Sequence, residues 1–375
     1  MNAYHRTISG LIAGLAIFAG TKLIADDAVG KEPKPKVEVL FILDSTGSMS
    51  SLIEGAKQKI WSIANSIIAQ KPTPDIRIGL ISYRDRGDDY VTRIFDLTDD
   101  IDTVSKNLSS FSAGGGGDSP ESVNQALHEG VTKISWSNGK NVLKIVFLVG
   151  DCPPHTDYQD DVKYQVSCQE AARKNIIINT VQCGSDGSTT AIWQEIARLS
   201  EGAYVALAQT GGMHMVATPF DSDIAKISGA ISSTVVGYGK EKEQAEVRKK
   251  IAAAAEAPAA TAASRAVFNV RTGGRAIQGR NDLLSDIADG TIRMEEVKDS
   301  ELSPEMQKMD AGERKAYVSK QQEKRNELNK HLSELGRKRA EFVDNENRRL
   351  AAEGKGDAFD LKVAEIISVE AKKIK

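Results

Sequence analysis

Apolar residues in this chain fall into short uninterrupted runs that alternate with helical stripes. Val37 to Leu43 is apolar except for Glu38 and ends among turn formers, which predicts a strand buried on both faces. Leu52, Ile53, Ala56, Ile60, Ile63, Ala64, Ile67 and Ile68 then recur at helical spacing, and Lys71-Pro72-Thr73-Pro74 stops the helix. Ile76–Tyr83 and Tyr90–Leu97 read as a strand pair joined by a charged turn. Thr98-Asp99-Asp100 caps a helix to about Phe111. A glycine-rich loop follows at 112–120, with Ser119 and Pro120 expected to start a helix to about Ile134. Val142–Val149, Ile176–Gln182 and Tyr204–Leu207 are further strands, separated by helices at 158–174 and 191–199 and followed by one at 220–236. Six strands with helices of this length between them predict βαβ units, hence an α/β fold around a mostly parallel sheet.

Beyond Gly239 the pattern changes. Residues 239–300 read as an Ala/Pro-rich linker, AAAAEAPAATAA at 252–263, and a small module with glycine turns at 273, 274 and 279. From 301 to 375 the chain is dense in charge. Val318, Leu328, Leu332, Leu335 and Phe342 form a thin stripe, which predicts a long helix or an antiparallel, coiled-coil-like pair, bent at Gly336. Such a stripe suits either a solvated helix or self-association. At the other end, His5 and Arg6 precede an apolar run from Ile8 to Gly20, too short for a membrane span and suited to a signal peptide over 1–25, with 26–36 as spacer. The chain is therefore expected to be exported to the periplasm, cell envelope or medium, and to meet the membrane only if this segment stays uncleaved.

The chain has 375 residues, 40% of them hydrophobic, enough for a sizeable core. Its 49 basic and 52 acidic side chains leave no overall charge that would indicate nucleic acid. Cys152, Cys168 and Cys183 leave one possible disulfide and an odd thiol, with no metal-ribbon spacing.

The chemistry concentrates at strand ends. The first strand ends on Asp44, and Thr46 and Ser48 follow at alternate positions, so a carboxylate and two hydroxyls converge in extended chain. Such donors suit a hard cation: Mg²⁺, or Mn²⁺ or Ca²⁺. They are also types that satisfy helix donors, although Ser51-x-x-Glu54 already has the form of a capping box. Four glycines deliver Asp118 on a flexible loop, as a ligand or as another cap. Asp151 repeats the Asp44 situation after the fourth long strand. In parallel sheets ligands lie beyond the carboxyl ends of strands, where all three aspartates fall. His155 is near enough in sequence to touch a ligand but reads as a surface loop residue; Trp61 and Trp193 read as core. Arg86-Gly87-Asp88 spells an adhesion tripeptide, a pattern frequent by chance.

Asp44-Ser-Thr-Gly-Ser48 after a buried strand, a glycine-rich loop, and an apolar strand ending in Asp151 together resemble the von Willebrand factor type A domain over about 36–238. The resemblance implies a Rossmann-like doubly wound sheet with helices on both faces. It also implies a metal-ion-dependent adhesion site of Asp44, Thr46, Ser48 and Asp151, with Asp118 where the family usually has Thr. The implied activity is non-enzymatic: an ion with one position left for a protein partner's acidic side chain. Two other classes fit less of the chain. One is an assembly factor or chaperone subunit with a metal-responsive domain. The other is an aspartyl phosphotransferase, which needs a second acid where Thr46 stands.

Overall fold

A computed structural model describes residues 34–117, 119–139, 141–212, 215–354 and 358–372. The expected export segment and Asp118 lie outside the described residues. The chain from Lys34 onward is one compact unit. In order it contains β1 (Lys36–Asp44), α1 (Ser50–Ile68), β2 (Asp75–Tyr83), β3 (Thr92–Thr98), α2 (Ile101–Ser109), α3 (Val123–Thr132), β4 (Val142–Gly150), α4 (Tyr164–Arg173), β5 (Ile176–Cys183), α5 (Gly187–Leu199), β6 (Tyr204–Leu207) and α6 (Asp221–Ser232).

The six strands form one sheet of order β3-β2-β1-β4-β5-β6. All neighbours are parallel except β2 and β3, which pair as the expected antiparallel hairpin. Alternation along β1 divides the core. Val39, Phe41 and Leu43 face α1 and α2, with Phe41 stacked on Phe147 at 5.4 Å. Leu40 and Ile42 face α3, α4 and α5, where Trp193 is fully buried. Strand order reverses between β1 and β4, and that junction is where a ligand crevice opens in sheets of this kind.

Several local expectations are corrected. The motif Ser51-x-x-Glu54 makes no capping box: α1 starts at Ser50 with Met49 as N-cap, and Glu54 instead meets Lys57 at 2.7 Å. A 3₁₀ turn over Gly47–Met49 feeds the chain straight into the helix. Helix α3 begins at Val123, with Ser122 rather than Ser119 as N-cap. Glu121 is tied in a parallel bridge to Pro154, which holds the preceding residues out of the helix. All three cysteines are free, because Cys168 and Cys183 lie in the cores on opposite faces of the sheet.

The described tail carries the helices α7 (Glu241–Glu256), α8 (Ala259–Arg271), α9 (Leu283–Ala288), α10 (Ala311–Ala352) and α11 (Ala358–Ala371). The stretch expected to be a linker forms the end of α7 and the start of α8. The break is confined to Ala257, extended as a residue before proline should be, and Pro258, the N-cap of α8. The small alanines of α8 let it pack closely on α6, with Ala263 and Ala266 against Ile224 and Ile231. Helix α10 is a single element of 42 residues. Its Leu328, Leu332 and Leu335 pack into that same cluster, and Gly336 lies against Val267, where a Cβ would approach Cγ2 to 3.1 Å. Helix α11 places Phe359, Val363 and Ile367 into the core beside α1. Among the described residues no helix is long and apolar enough to cross a membrane.

Candidate metal centre

The loop after β1 is organised by Asp44, which is fully buried. Its Oδ1 accepts from the Thr46 backbone N–H at 2.8 Å and from Thr46 Oγ1 at 2.7 Å. The threonine proton is thus directed at the carboxylate, and the hydroxyl lone pairs face away from it. Ser48 Oγ lies 3.3 Å from Thr46 Oγ1, a proximity made by the 3₁₀ turn over Gly47–Met49 and not by the extended-chain alternation that was expected. Asp44 Oδ2 is buried with no hydrogen-bond donor. Burial pushes its carboxyl up to about 7; the Thr46 bonds lower it, and the Asp151 charge raises it again.

Asp151 follows β4, across the strand junction. Gly150 provides the close approach, since a Cβ there would collide with the Tyr83 hydroxyl and lie 3.1 Å from Asp44 Oδ2. Asp151 Oδ1 is buried without a donor, while Oδ2 accepts from Gln209 Nε2 at 2.7 Å. Gln209 comes from the loop after β6, a fourth contribution that sequence reasoning missed because nothing in a lone glutamine marks it. Its amide leaves one Asp151 oxygen occupied and the other free. Replacing Gln209 with Ala is expected to weaken cation affinity about tenfold, the usual effect of losing a group that orients a ligand. Titration calorimetry with Mn²⁺ checks this, and an unchanged affinity would show that Asp151 is held without it.

The glycine loop lies directly on the first loop. Gly114 N donates to Ser45 O at 3.0 Å, and Gly47 N donates to Gly115 O at 3.3 Å. Gly115 and Gly116 both have left-handed φ, near 75° and 72°. A Cβ on Gly116 would come within 2.8 Å of Thr46 Cβ, so the run of glycines is what permits this approach. Asp88 accepts from Gly116 N at 3.1 Å, and Arg84 reaches Ser112 O at 2.7 Å and Ser45 O at 3.2 Å. Of the RGD tripeptide, then, Asp88 clamps this loop. Arg86 pairs with Asp160 and Asp161 and lies over the Tyr158 ring at 4.0 Å.

His155 is buried rather than exposed, and it touches none of the candidate ligands described. Its Nε2 lies 3.1 Å from Asp85 and its Nδ1 2.8 Å from Asp157, with its ring stacked on Tyr158 at 4.0 Å. It fastens the loop after β4 to the turn after β2. Glu121, in the segment before α3, is a second group to which sequence reasoning gave no role. It is buried, and burial, then the charges of Asp44, Asp85, Asp88 and Asp151, push its carboxyl up to about 9.

Among the described residues no set of three His, Cys, Asp or Glu side chains could hold a metal ion by itself. The arrangement instead joins two carboxylates, Asp44 and Asp151, to the hydroxyls of Thr46 and Ser48. Hard oxygen donors with two buried, donorless carboxylate oxygens fit a cation such as Mg²⁺. Residues 38–219 match the von Willebrand factor A domain family. The chain is a von Willebrand factor A domain protein. The chain is similar to part of the alpha-protein kinase vwkA of Dictyostelium discoideum, with 32% identity over 125 residues, covering 32% of this chain and 19% of that protein. It is similar to a putative ariadne-like RING finger protein, R811, of Acanthamoeba polyphaga mimivirus, with 23% identity over 193 residues, covering 46% of this chain and 18% of that one. The chain thus spans about a fifth of the length of these curated relatives. Among solved structures it is similar to the SpRpn10 VWA domain, at 13% identity and TM-score 0.36, covering 47% of this chain and 89% of that one. The proximal thread matrix protein 1 of the mussel byssus is similar at 12% identity and TM-score 0.35, covering 47% of this chain and 42% of that one.

Proposed function

We propose that this protein is a non-enzymatic, divalent-cation-dependent binding protein of the cell envelope, whose A domain captures an acidic side chain of a protein partner. The observation that carries this reading is the pair of buried carboxylate oxygens, Asp44 Oδ2 and Asp151 Oδ1, that lack any donor beside the Thr46 and Ser48 hydroxyls. Unpaired buried anionic oxygens are costly unless something positive meets them. Asp44 and Asp151 would hold the ion, Thr46 and Ser48 would offer it lone pairs, and Asp118 would be the contribution of the glycine loop. A bound Mg²⁺, or Mn²⁺ or Ca²⁺, supplies the attraction for the partner's carboxylate.

Thr46 supports a non-enzymatic role. It stands where an aspartyl phosphotransferase needs a second acid, and its hydroxyl is engaged with Asp44. The apolar run Ile8–Gly20 supports export. The charged outer face of α10 offers a surface for self-association, because the leucine stripe is already packed inward.

The test uses the full chain and an immobilised panel of Glu- and Asp-bearing peptides with Gln and Asn counterparts, in Mg²⁺ or EDTA. Retention on acidic peptides in Mg²⁺ that is lost with EDTA and in an Asp151→Ala variant is the expected result. Equal retention in both buffers, or equal retention on the amide peptides, would refute capture through an ion.

A further inference from the structure

Lys144, near the amino end of β4, is 8% exposed, and among the described residues no carboxylate pairs with its ammonium. Its neighbour across the sheet is Glu38 on β1, but that carboxylate is already taken. Glu38 Oε1 meets Arg77 at 2.8 Å, and both of its oxygens accept from Ser137. Lys144 turns away from it and lines a cavity of about 500 Å³ at the end of the sheet opposite the metal centre. Ile134 and Trp136 give this cavity an apolar wall, and the Trp136 indole is fixed there by a bond from Nε1 to Gly130 O at 2.9 Å. Arg173, Lys174 and the amides of Asn138 and Asn175 supply the polar side.

Helix capping accounts for part of this arrangement. Lys144 donates to Lys174 O at the end of α4, and Lys174 donates to Val131 O in the last turn of α3, each at 3.1 Å. That bond uses one of the three donors on the Lys144 ammonium and leaves its charge unpaired. Helices α3 and α4 carry one acid each, and both are spent. Glu129 pairs with Lys133 at 2.8 Å, and Glu170 is shared by Arg173 and Lys174, both at 3.3 Å. The two helix ends add roughly half a negative charge each, which Lys144 and the second cation on Glu170 exceed. The cavity is left with surplus positive charge beside an aromatic wall, and a buried charge is costly until an opposite one meets it.

We propose that this cavity binds a small organic phosphate bearing a flat ring, the chemistry of a nucleoside monophosphate. Lys144 and Arg173 hold the phosphate, Trp136 and Ile134 take the ring, and the Asn138 and Asn175 amides meet its polar edge. Ammonium and guanidinium groups suit phosphate oxygens, and an indole offers a stacking face to any base. The volume falls within the roughly 300–1,000 Å³ of small-molecule sites. None of these residues belongs to the metal centre, so the site stands or falls without a bound cation.

The test uses the full chain in EDTA, which keeps phosphate from binding through an ion at the metal centre. AMP, UMP, adenosine and inorganic phosphate are titrated by calorimetry. Tryptophan emission is followed alongside and reports on Trp136, since Trp61 and Trp193 are buried. At least one nucleotide is expected to bind, more weakly as salt is raised, with adenosine and phosphate each about tenfold weaker or more. Arg173→Ala and Lys144→Met are expected to weaken that nucleotide about tenfold or more. Trp136→Leu is expected to weaken it about fivefold or more and to abolish the emission change. A wild-type chain that binds neither nucleotide refutes the site. So does nucleotide binding unchanged in Arg173→Ala, a variant whose side chain is 72% exposed and which decides the matter even if Lys144→Met does not fold. Inorganic phosphate binding as tightly as the nucleotide would remove the ring from the ligand, and adenosine binding as tightly would remove the charge; either result overturns the ligand class.

Discussion

Asp44→Ala is expected to abolish Mg²⁺ and Mn²⁺ binding while the α/β unit stays folded. The expected loss is at least about 100-fold in affinity, equivalent to about 2.7 kcal/mol. Asp44 is the one carboxylate to which the rest of its loop is anchored, through the amide and hydroxyl of Thr46. In the ion-free protein the same carboxylate is a liability. Burial raises it to about 7 against the lowering effect of both Thr46 bonds. Desolvation therefore outweighs the bonds that favour its charged form, so removing the group sacrifices little apo stability. Calorimetric titration and an EDTA melting curve read the two halves separately. An isotherm that superimposes on the wild type would remove Asp44 from the site, and collapse of the fold would show that its loop bonds outweigh its burial.

Arg325→Met is expected to produce the largest loss of stability, about 3–5 kcal/mol. Arg325 on α10 is 1% exposed and meets fully buried Asp282 at 2.5 and 3.3 Å. It also donates to Thr234 Oγ1 at 2.8 Å, Thr234 O at 3.0 Å and Ser285 Oγ at 3.1 Å. Methionine fills similar volume but leaves Asp282 without its cation, with only the Ser285 hydroxyl and the Val236 amide as donors. The penalty for an uncompensated buried charge exceeds what a single packing change would cost. Guanidinium unfolding measures it, and limited proteolysis should show earlier cleavage within α10. A further Asp282→Leu change should restore part of the loss. A midpoint unchanged from wild type would mean that α10 is held by its leucine stripe alone.

The two predictions concern parts of the chain that differed in how readable they were. The strand ending on Asp44 was legible because β1 is buried on both faces and so carries an apolar run broken only by Glu38. Thr46 and Ser48 stood out by their spacing after the strand, but a 3₁₀ turn over Gly47–Met49, not alternation in extended chain, brings their hydroxyls within 3.3 Å. The start of α3 was misread, since Ser119-Pro120 has the local chemistry of a helix start but a bridge from Glu121 to Pro154 overrides it. Alanine-rich 252–263 was misread for a related reason: low side-chain volume looks like a linker until a neighbouring helix comes close enough to need it.

Arg325 as the anchor of α10 had no sequence signal, being one basic residue among many in a charged helix. Gln209 and Asp88 were equally silent as parts of the site. Each belongs to it through a partner distant in sequence, Asp151 for Gln209 and Gly116 for Asp88, 58 and 28 positions away. What the sequence determined alone was the run of strands and helices, the parallel sheet and the acids and hydroxyls at its strand ends, because periodicity and turn chemistry act between near neighbours. Only the tertiary structure decided which acids face one another, which loop clamps which, and where the tail docks, because burial and charge pairing depend on atoms brought together from distant parts of the chain.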